Sequence, residues 1–334
     1  MSAIVTVTPS AAIDQTYVLP ELAIGEVNRA SSAHTELSGK GVNVAHAIAL
    51  GGTRVSAVLT LGENDQALAT HQGEHVASRP TLVPVIVPGP TRVNTSIIDS
   101  FGRTTKINQS PIPLSDEHWG ELHAATLREL ESLGASWLVV CGSIPTNTAS
   151  DELVPFADLL AEAHARGIRT ALDTSGQALR QVLQQGAPLT LIKPNTHELA
   201  DLLGRSLVTI GDVIDAANEL RASGVEMVYV SMGEDGALAV AKTGVWWAKT
   251  EATSVVNSAG AGDASLAGFI TGLADGDADD AVPRAIATAA SWGALSVSQQ
   301  TTLLSALDEA RPATVVAAPD RSTLLADPAE VAHA

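Results

Sequence analysis

From Pro113 onward, helix-period and strand-like stretches alternate without a break, and this alternation limits the fold more than any other feature of the chain. A helix predicted over Asp116–Leu133 leads into a strand at 136–141 and then Gly142-Ser143. A helix over 151–166 leads into 169–172 and Asp173-Thr174-Ser175-Gly176, and a short one over 178–184 into 189–192 and Lys193-Pro194-Asn195. Helices at 198–203 and Ile210–Ala222 precede Met227–Ser231 and Gly233, and an antiparallel pair follows at 238–240 and 245–247. Strands separated by helices pair in parallel through right-handed crossovers, which bring their tips to one edge. Every tip here is polar or glycine, as at the carboxyl edge where open α/β sheets bind ligands. The chain therefore reads as an α/β protein with a mostly parallel central sheet.

Two glycine loops mark the chemistry. Val255-Val256 reads as a strand end, and Asn257 to Asp263 as a glycine-broken turn opening a helix of small residues to about Leu273. Gly260 and Gly262 allow successive N–H groups to point into one concavity, where the helix dipole adds positive potential. That cup suits an anion, while a carboxylate beside it suits a proton. The physical reading is phosphoryl transfer with Asp263 as base; the plain alternative is an Asp that only caps a helix. The second loop has Gly39 and Gly41 at a tight turn, then a helix over 42–50 stopped by Gly51-Gly52. Lys40 and Asn43 at its start are placed to hold a phosphate or hydroxyl. Neither loop is a Walker A sequence, and no G-x-G-x-x-G fingerprint occurs.

The remaining strands sort into two groups. Residues 4–7, 55–61 and 82–87 read as further sheet strands, with 8–14 leaving the first of them. Asp14, just past that strand, is either a polyol acceptor or a solvated turn residue. Short strands within 17–35 and a hairpin of Arg92–Asp99 with Thr104–Asn108 form a small accessory sheet. Arg92 and Asn94 share a face there, and Arg92 either forks onto a phosphate or is solvated at an edge. Pro283 is expected in the first turn of an Ala-rich helix ending near residue 299, closed by 300–302. Residues 317–334 read as a tail without a usable pattern.

Composition removes several classes of function. A formal charge of −18 over 334 residues argues against nucleic acid or an acidic membrane as partner. With 45% hydrophobic but only 3% aromatic residues, the core must be built from Ala, Val, Leu and Ile. Cys141, the one cysteine, excludes an intrachain disulfide and a cysteine-zinc cluster and is expected buried. Residues 1–7 lack the basic start and apolar run of a signal peptide, and no apolar stretch is long enough to span a bilayer, so the expected compartment is the cytoplasm.

Four motifs in order resemble the PfkB (ribokinase-like) carbohydrate kinases. Gly39-Lys40-Gly41-Val42-Asn43 and Asn257 to Asp263 resemble the family's two signatures. Lys193-Pro194-Asn195-Thr196-His197-Glu198-Leu199 and Ser231-Met232-Gly233-Glu234-Asp235-Gly236-Ala237 resemble its nucleotide-side stretches. The resemblance runs over about 3–306 and implies a three-layer α/β/α kinase domain over 1–316, with a small β-sheet lid drawn from about 15–38 and 90–110 and a C-terminal tail at 317–334. It implies ATP as co-substrate, magnesium, a small phosphosugar as partner, and a homodimer through the lid. Asp263 would be the base, with Gly260, Ala261 and Gly262 forming the anion hole. Asp14, Gly39, Asn43 and Asn108 would hold the sugar, with Lys40, Arg92 and Arg29 toward its phosphate. Lys193, Asn195, Ser231, Gly233 and Gly236 would line the nucleotide, and Asn195 with Glu198 would position the metal. Thr91-Arg92-Val93-Asn94 and Thr104 to Asn108 resemble the subgroup that phosphorylates fructose 1-phosphate. Tagatose-6-phosphate kinases and 6-phosphofructokinases are the nearest alternatives, and a non-catalytic sugar-phosphate or nucleotide sensor a remote one. Ser10-Ala11, Pro111 and Ala264 depart from the family pattern, the first two on the substrate side.

Overall fold

The computed structural model describes residues 2–71, 79–252, 254–274, 278–299 and 301–330. Strand β1 (Ala3–Thr8) starts the central sheet, β2 (Ala12–Leu19) and β3 (Ser32–Ser38) leave it, and α1 (Lys40–Leu50) and β4 (Arg54–Gly62) return. Next come α2 (Gln66–His71), β5 (Thr81–Val87) and the hairpin of β6 (Arg92–Asp99) with β7 (Thr104–Asn108). The alternating part follows as α3 (Asp116–Leu133), β8 (Trp137–Cys141), α4 (Phe156–Ala165), β9 (Arg169–Asp173) and α5 (Gly176–Gln184). It continues through β10 (Leu191–Ile192), α6 (Thr196–Leu203), β11 (Leu207–Thr209), α7 (Ile210–Ala222) and β12 (Met227–Ser231). The chain then passes through β13 (Ala237–Ala241), β14 (Gly244–Lys249), α8 (Ala261–Ala274), α9 (Ala278–Ser296), β15 (Thr314–Ala317) and β16 (Leu324–Ala329).

Among the described residues the main sheet runs β15-β14-β13-β12-β10-β9-β8-β1-β4-β5. The stretch from β12 to β5 is parallel, and β13, β14 and β15 close one edge antiparallel. Strands covered on both faces need apolar residues at every position, not at alternate ones. In β8, Leu138 and Val140 face one buried cluster while Trp137, Val139 and Cys141 face the other. The first cluster is shared with α3, α4, α5, α6 and α7, the second with α1, α8 and α9, giving three layers. Strand order reverses around β1, between β8 and β4, and the crevice at such a point is where open sheets take ligands. A separate four-stranded sheet, β3-β2-β6-β7, stands over that crevice as the lid.

Several local expectations need correcting. Asp14 lies inside β2 on the lid, not in a turn after β1. Gly41 belongs to the first turn of α1, and its value is closeness: a Cβ there would sit 2.4 Å from Thr8 Oγ1. The helix expected from 151 begins at Phe156, because Pro155 takes its N-cap and Asp151 is left-handed at φ 56. Val255 and Val256 are exposed and form no strand; Val256 and Asn257 donate their N–H groups to the Val297 carbonyl. Pro283 sits inside α9, past its first turn. The expected tail is folded where it is described: β16 pairs antiparallel with β11, just after β15, which ends at Ala317 and joins the sheet edge through β14. Residues 331–334 and Gln300 lie outside the described residues.

Candidate active site

Helix α8 is buried from Asp263 to Leu273, so it has no polar face and must pack closely on every side. Small residues make this feasible. A Cβ on Gly272 would lie 2.5 Å from Ala285 Cα, and one on Gly268 2.9 Å from the Thr288 carbonyl, so α9 runs directly against it. Ser265 hydrogen-bonds the Ala289 carbonyl at 3.0 Å and meets the Tyr229 hydroxyl, while Tyr229 stacks on Phe269 with centroids 4.6 Å apart. The packing fixes where α8 begins. Gly260 precedes it at φ 80, and a Cβ there would strike the Thr302 carbonyl at 2.3 Å.

The first backbone bond of α8 runs from Ala264 N–H to the Gly260 carbonyl. The N–H groups of Ala261, Gly262 and Asp263 therefore have no partner within the helix and face the cleft mouth, at the positive end of a buried dipole. Lys193 Nζ lies 3.4 Å from where a Gly262 Cβ would be, so an ammonium reinforces the same cup. Asp263 is 7% exposed, and Asn43 Nδ2 donates to its Oδ2 at 2.8 Å. Burial pushes its carboxyl up to about 6, opposed by Lys40, the Asn43 hydrogen bond and Lys193, and assisted by Asp173. At neutral pH such a group is mostly ionised yet basic enough to take a proton, as a general base requires.

Lys40 and Lys193 both reach a strand-tip residue to which the sequence reading assigns no role. Asp173, fully buried at the tip of β9, accepts from Lys40 Nζ at 2.9 Å and faces Lys193 Nζ at 3.3 Å. Burial opposes its charge, but the Lys193 and Lys40 ammonium groups outweigh that and hold its carboxyl below the usual value. Desolvation likewise works against Lys40, yet Asp173, Asp263 and Glu198 hold its ammonium above its ordinary range. Two cations and two carboxylates thus converge on the tips of β9 and β10 and the starts of α1 and α8. Cys141, beside Asp173 on β8, is buried, and burial pushes its thiol well up, as expected for a core residue.

The open cleft above this cluster measures about 1510 Å³ and has two arms. On the lid arm, Asp14, Asn94 and Asn108 sit side by side across β2, β6 and β7. Asn94 Nδ2 donates to Asp14 Oδ1 at 3.2 Å, while its own Oδ1 is buried without a partner. An orphaned buried acceptor calls for a donor from outside the protein. Arg92 lines the same arm but donates from Nε, Nη1 and Nη2 to the carbonyls of Ala11, Gln109 and Ser10, bracing the lid's base. On the other arm lie Lys193, Asn195, Ser231, Gly233 and Gly236, with Ala290, Ala294 and Val297 at the end of α9. Asn195 and Glu198 form a reciprocal capping box at the start of α6, through Glu198 N–H to Oδ1 and Asn195 N–H to Oε2.

Over residues 4–308 the chain matches the family model described as pfkB family carbohydrate kinase. It is 38% identical over 295 residues to 1-phosphofructokinase of Rhodobacter capsulatus, covering 87% of this chain and 90% of that one. It is 32% identical over 300 residues to 1-phosphofructokinase of Escherichia coli K12, covering 89% and 91%. Its fold is similar to the crystal structure of phosphofructokinase-2 from Escherichia coli in complex with substrates and products, with a TM-score of 0.73 and 26% identity, over 86% of this chain and 92% of that one. The chain belongs to the pfkB family of carbohydrate kinases.

A carbohydrate kinase moves a phosphoryl group to an alcohol, and the cleft is the place where the residues expected from sequence gather. All the site residues expected from sequence line the one cleft, except Arg29, which is exposed in the connection between β2 and β3. The structure adds Asp173, Asn94, the α9 end, Thr302, and Ala326 with Asp327 from the C-terminal strand. Only Asp173 and Asn94 had a visible signal, a polar residue at a strand tip and one at a strand position facing Arg92's side. No helix of the described residues is long and apolar enough to cross a membrane.

Proposed function

We propose that this kinase transfers the γ-phosphoryl group of ATP to the C6 hydroxyl of D-fructose 1-phosphate, giving D-fructose 1,6-bisphosphate and ADP. The observation that carries the chemistry is Asp263, a buried carboxylate raised to about 6 beside three helix N–H groups without helical partners. The observation that favours this sugar is the run of relatives named 1-phosphofructokinase at 32–38% identity over most of the chain.

In this reading Asp263 removes the proton of the acceptor hydroxyl as its oxygen bonds to the γ-phosphorus and the bond to the β-γ bridging oxygen breaks. Charge on the transferring group is met by the N–H groups of Ala261, Gly262 and Asp263 and by the Lys193 and Lys40 ammonium groups. Asn43 aims the carboxylate through its hydrogen bond. Asp14, Gly39, Asn94 and Asn108 hold the sugar hydroxyls, and Arg92 adds positive charge at the lid's base. Asn195, Ser231, Gly233 and Gly236 line the nucleotide, with Ala290, Ala294 and Val297 as an apolar floor for its base.

The donor set also fits magnesium. Glu198 lines the cleft with one carboxylate oxygen outside the capping box, next to the neutral amide of Asn195. Magnesium keeps much of its water and takes phosphate oxygens, so a site with few protein carboxylates suits it. Among the described residues no cluster of three His, Cys, Asp or Glu forms a closed metal cage. Glu198 and Asn195 would hold the ion, directly or through water, and the ion would supply charge neutralisation on the phosphates. The outer lid face, with Tyr17, Ile97 and Ile107, supports pairing of two copies through the lid, in a cytoplasmic enzyme.

The test is ADP release coupled to a readout, with ATP, magnesium and a panel of fructose 1-phosphate, fructose 6-phosphate, tagatose 6-phosphate and free fructose. The expected result is a kcat/KM for fructose 1-phosphate well above the others. A preference for a 6-phosphate would overturn the substrate and leave the kinase; no turnover at all would leave a sensor.

A further inference from the structure

Glu36 is a carboxylate that neither the N–H cup nor the cleft wall accounts for. It sits in β3 as the direct cross-strand partner of Asp14, yet its side chain is only 12% exposed and does not line the cleft. Burial pushes its carboxyl up and Asp14 adds to the effect, against His34 and the Thr302 N–H. A buried acid beside another acid is unfavourable unless its oxygens find donors. Both find one: Oε2 accepts from His34 Nε2 at 3.4 Å, and Oε1 accepts from the Thr302 N–H at 3.3 Å.

Thr302 is where the lid meets the turn before α8. Its carbonyl is the atom that a Cβ on Gly260 would strike, so it backs the residue that opens the cup, and Thr302 itself lines the cleft. Two residues on, the Leu304 carbonyl accepts from His46 Nε2 at 2.9 Å. His46 is buried on α1, the helix whose Asn43 donates to Asp263. Residues 302–304 belong to no helix or strand, so no backbone ladder fixes them and side chains must. His46 holds one end of the segment, and Glu36 holds the end that touches Gly260.

We propose that Glu36 is a positioning residue for phosphoryl transfer. By holding the Thr302 N–H it keeps the Thr302 carbonyl behind Gly260, and so keeps the N–H groups of Ala261, Gly262 and Asp263 aimed into the cleft. The assignment rests on the reading of that turn given above. It gives the lid a part at the reacting end: the strand pair that carries Asp14 toward the sugar also braces the cup.

The experiment compares wild type with Glu36→Ala, Glu36→Asp and Glu36→Gln. It uses steady-state kinetics with fructose 1-phosphate and ATP, and amide hydrogen exchange of the chain without substrates. Glutamine keeps an acceptor at the same reach without the charge; aspartate keeps the charge but is one methylene short. Glu36→Ala and Glu36→Asp should lower kcat by about tenfold or more, the scale of a lost hydrogen bond to a charged group. KM for ATP should stay within about twofold of wild type, because the interaction serves the transferring group. Glu36→Gln should keep most of kcat. Amides of residues 261–264 should exchange faster in the alanine and aspartate variants but not in the glutamine variant, with the middle of α9 unchanged.

Wild-type kcat and exchange in Glu36→Ala overturn the assignment, and so does either change without the other in a chain that turns over. Loss in Glu36→Gln with recovery in Glu36→Asp also overturns it, since charge and not the bond to Thr302 would then matter. The expected exchange pattern in a chain that turns over no phosphosugar overturns the kinase reading and leaves the brace standing.

Discussion

In the function proposed above the turn at Asp263 and the lid both handle substrate oxygens, but they are built in opposite ways. The turn belongs to α8, which is buried along its length and clamped by α9 so tightly that several positions admit only glycine. The lid is a four-stranded sheet whose last strand, β7, is exposed at all its positions. Two glycines make the contrast concrete. Gly260 at φ 80 lies 2.3 Å, measured from a built Cβ, from the Thr302 carbonyl; Gly102 at φ 78 in the lid hairpin has nothing within 4 Å. The same backbone conformation is locked from outside in one region and free in the other. Donors aimed at developing charge must be held in place beforehand, whereas a surface that selects and closes on a substrate must yield. The proposed function thus puts the chemistry in the buried half and the selectivity in the exposed half.

The sharpest way to break this division is to remove the base. Asp263→Asn should lower kcat by about two to four orders of magnitude while ATP binding, followed by calorimetry, stays near wild type. Wild-type turnover in that variant would remove Asp263 from the mechanism. The same substitution should alter the pH dependence of stability. The carboxyl is raised from 3.8 to about 6, so the native chain binds its proton more tightly in that interval. Its contribution to stability is present below the window and lost as pH rises through it, a slope that Asp263→Asn should erase in denaturant titrations.

The glycine pair gives the next largest effect. Gly260→Ala should cost at least about 1–3 kcal/mol from the left-handed conformation alone, with more from the Thr302 contact, and should depress kcat. Gly102→Ala carries the conformational cost without the contact and should leave kcat unchanged. Similar losses of activity in both would erase the contrast between the regions.

Lys40→Met probes the charge cluster. Lys40 lowers the Asp263 carboxyl, so its removal should move the acid limb of the kcat/KM profile to higher pH. It should also lower Tm, because buried Asp173 would keep only Lys193 as counter-ion. The smallest effect is expected at the lid. Asp14→Ala should raise KM for the sugar about tenfold with little change in Tm, since it removes a substrate acceptor on a half-exposed strand.

How much of this could be read from the sequence follows from the range of the interactions involved. The two glycine loops and the β/α alternation are written locally, through backbone freedom, helix starts and apolar period, and the loops, helices and parallel strands formed close to their expected places. Asp263 was visible because it sits within its own loop. Asp173 was not assigned, because its two ammonium partners arrive from α1 and from the tip of β10, and only the assembled sheet brings them together. Val255-Val256 has the composition of a strand, but its neighbouring backbone groups find the end of α9 instead of a sheet edge. Residues beyond 317 offered no periodic run, and β16 is ordered by β11, far earlier in the chain. The lid was legible as a hairpin plus two strands; the row of Asp14, Asn94 and Asn108 across it required the register between them.

In the proposed mechanism a buried carboxylate on the turn before α8 accepts the proton of the sugar hydroxyl. Its most direct test is kcat/KM for fructose 1-phosphate from about pH 5 to about pH 8 at saturating ATP and magnesium. The expected result is a plateau at neutral pH and a fall of about tenfold per unit below about 6, where the Asp263 carboxyl becomes protonated. A profile that stays flat through that range would show that no proton on Asp263 limits the reaction.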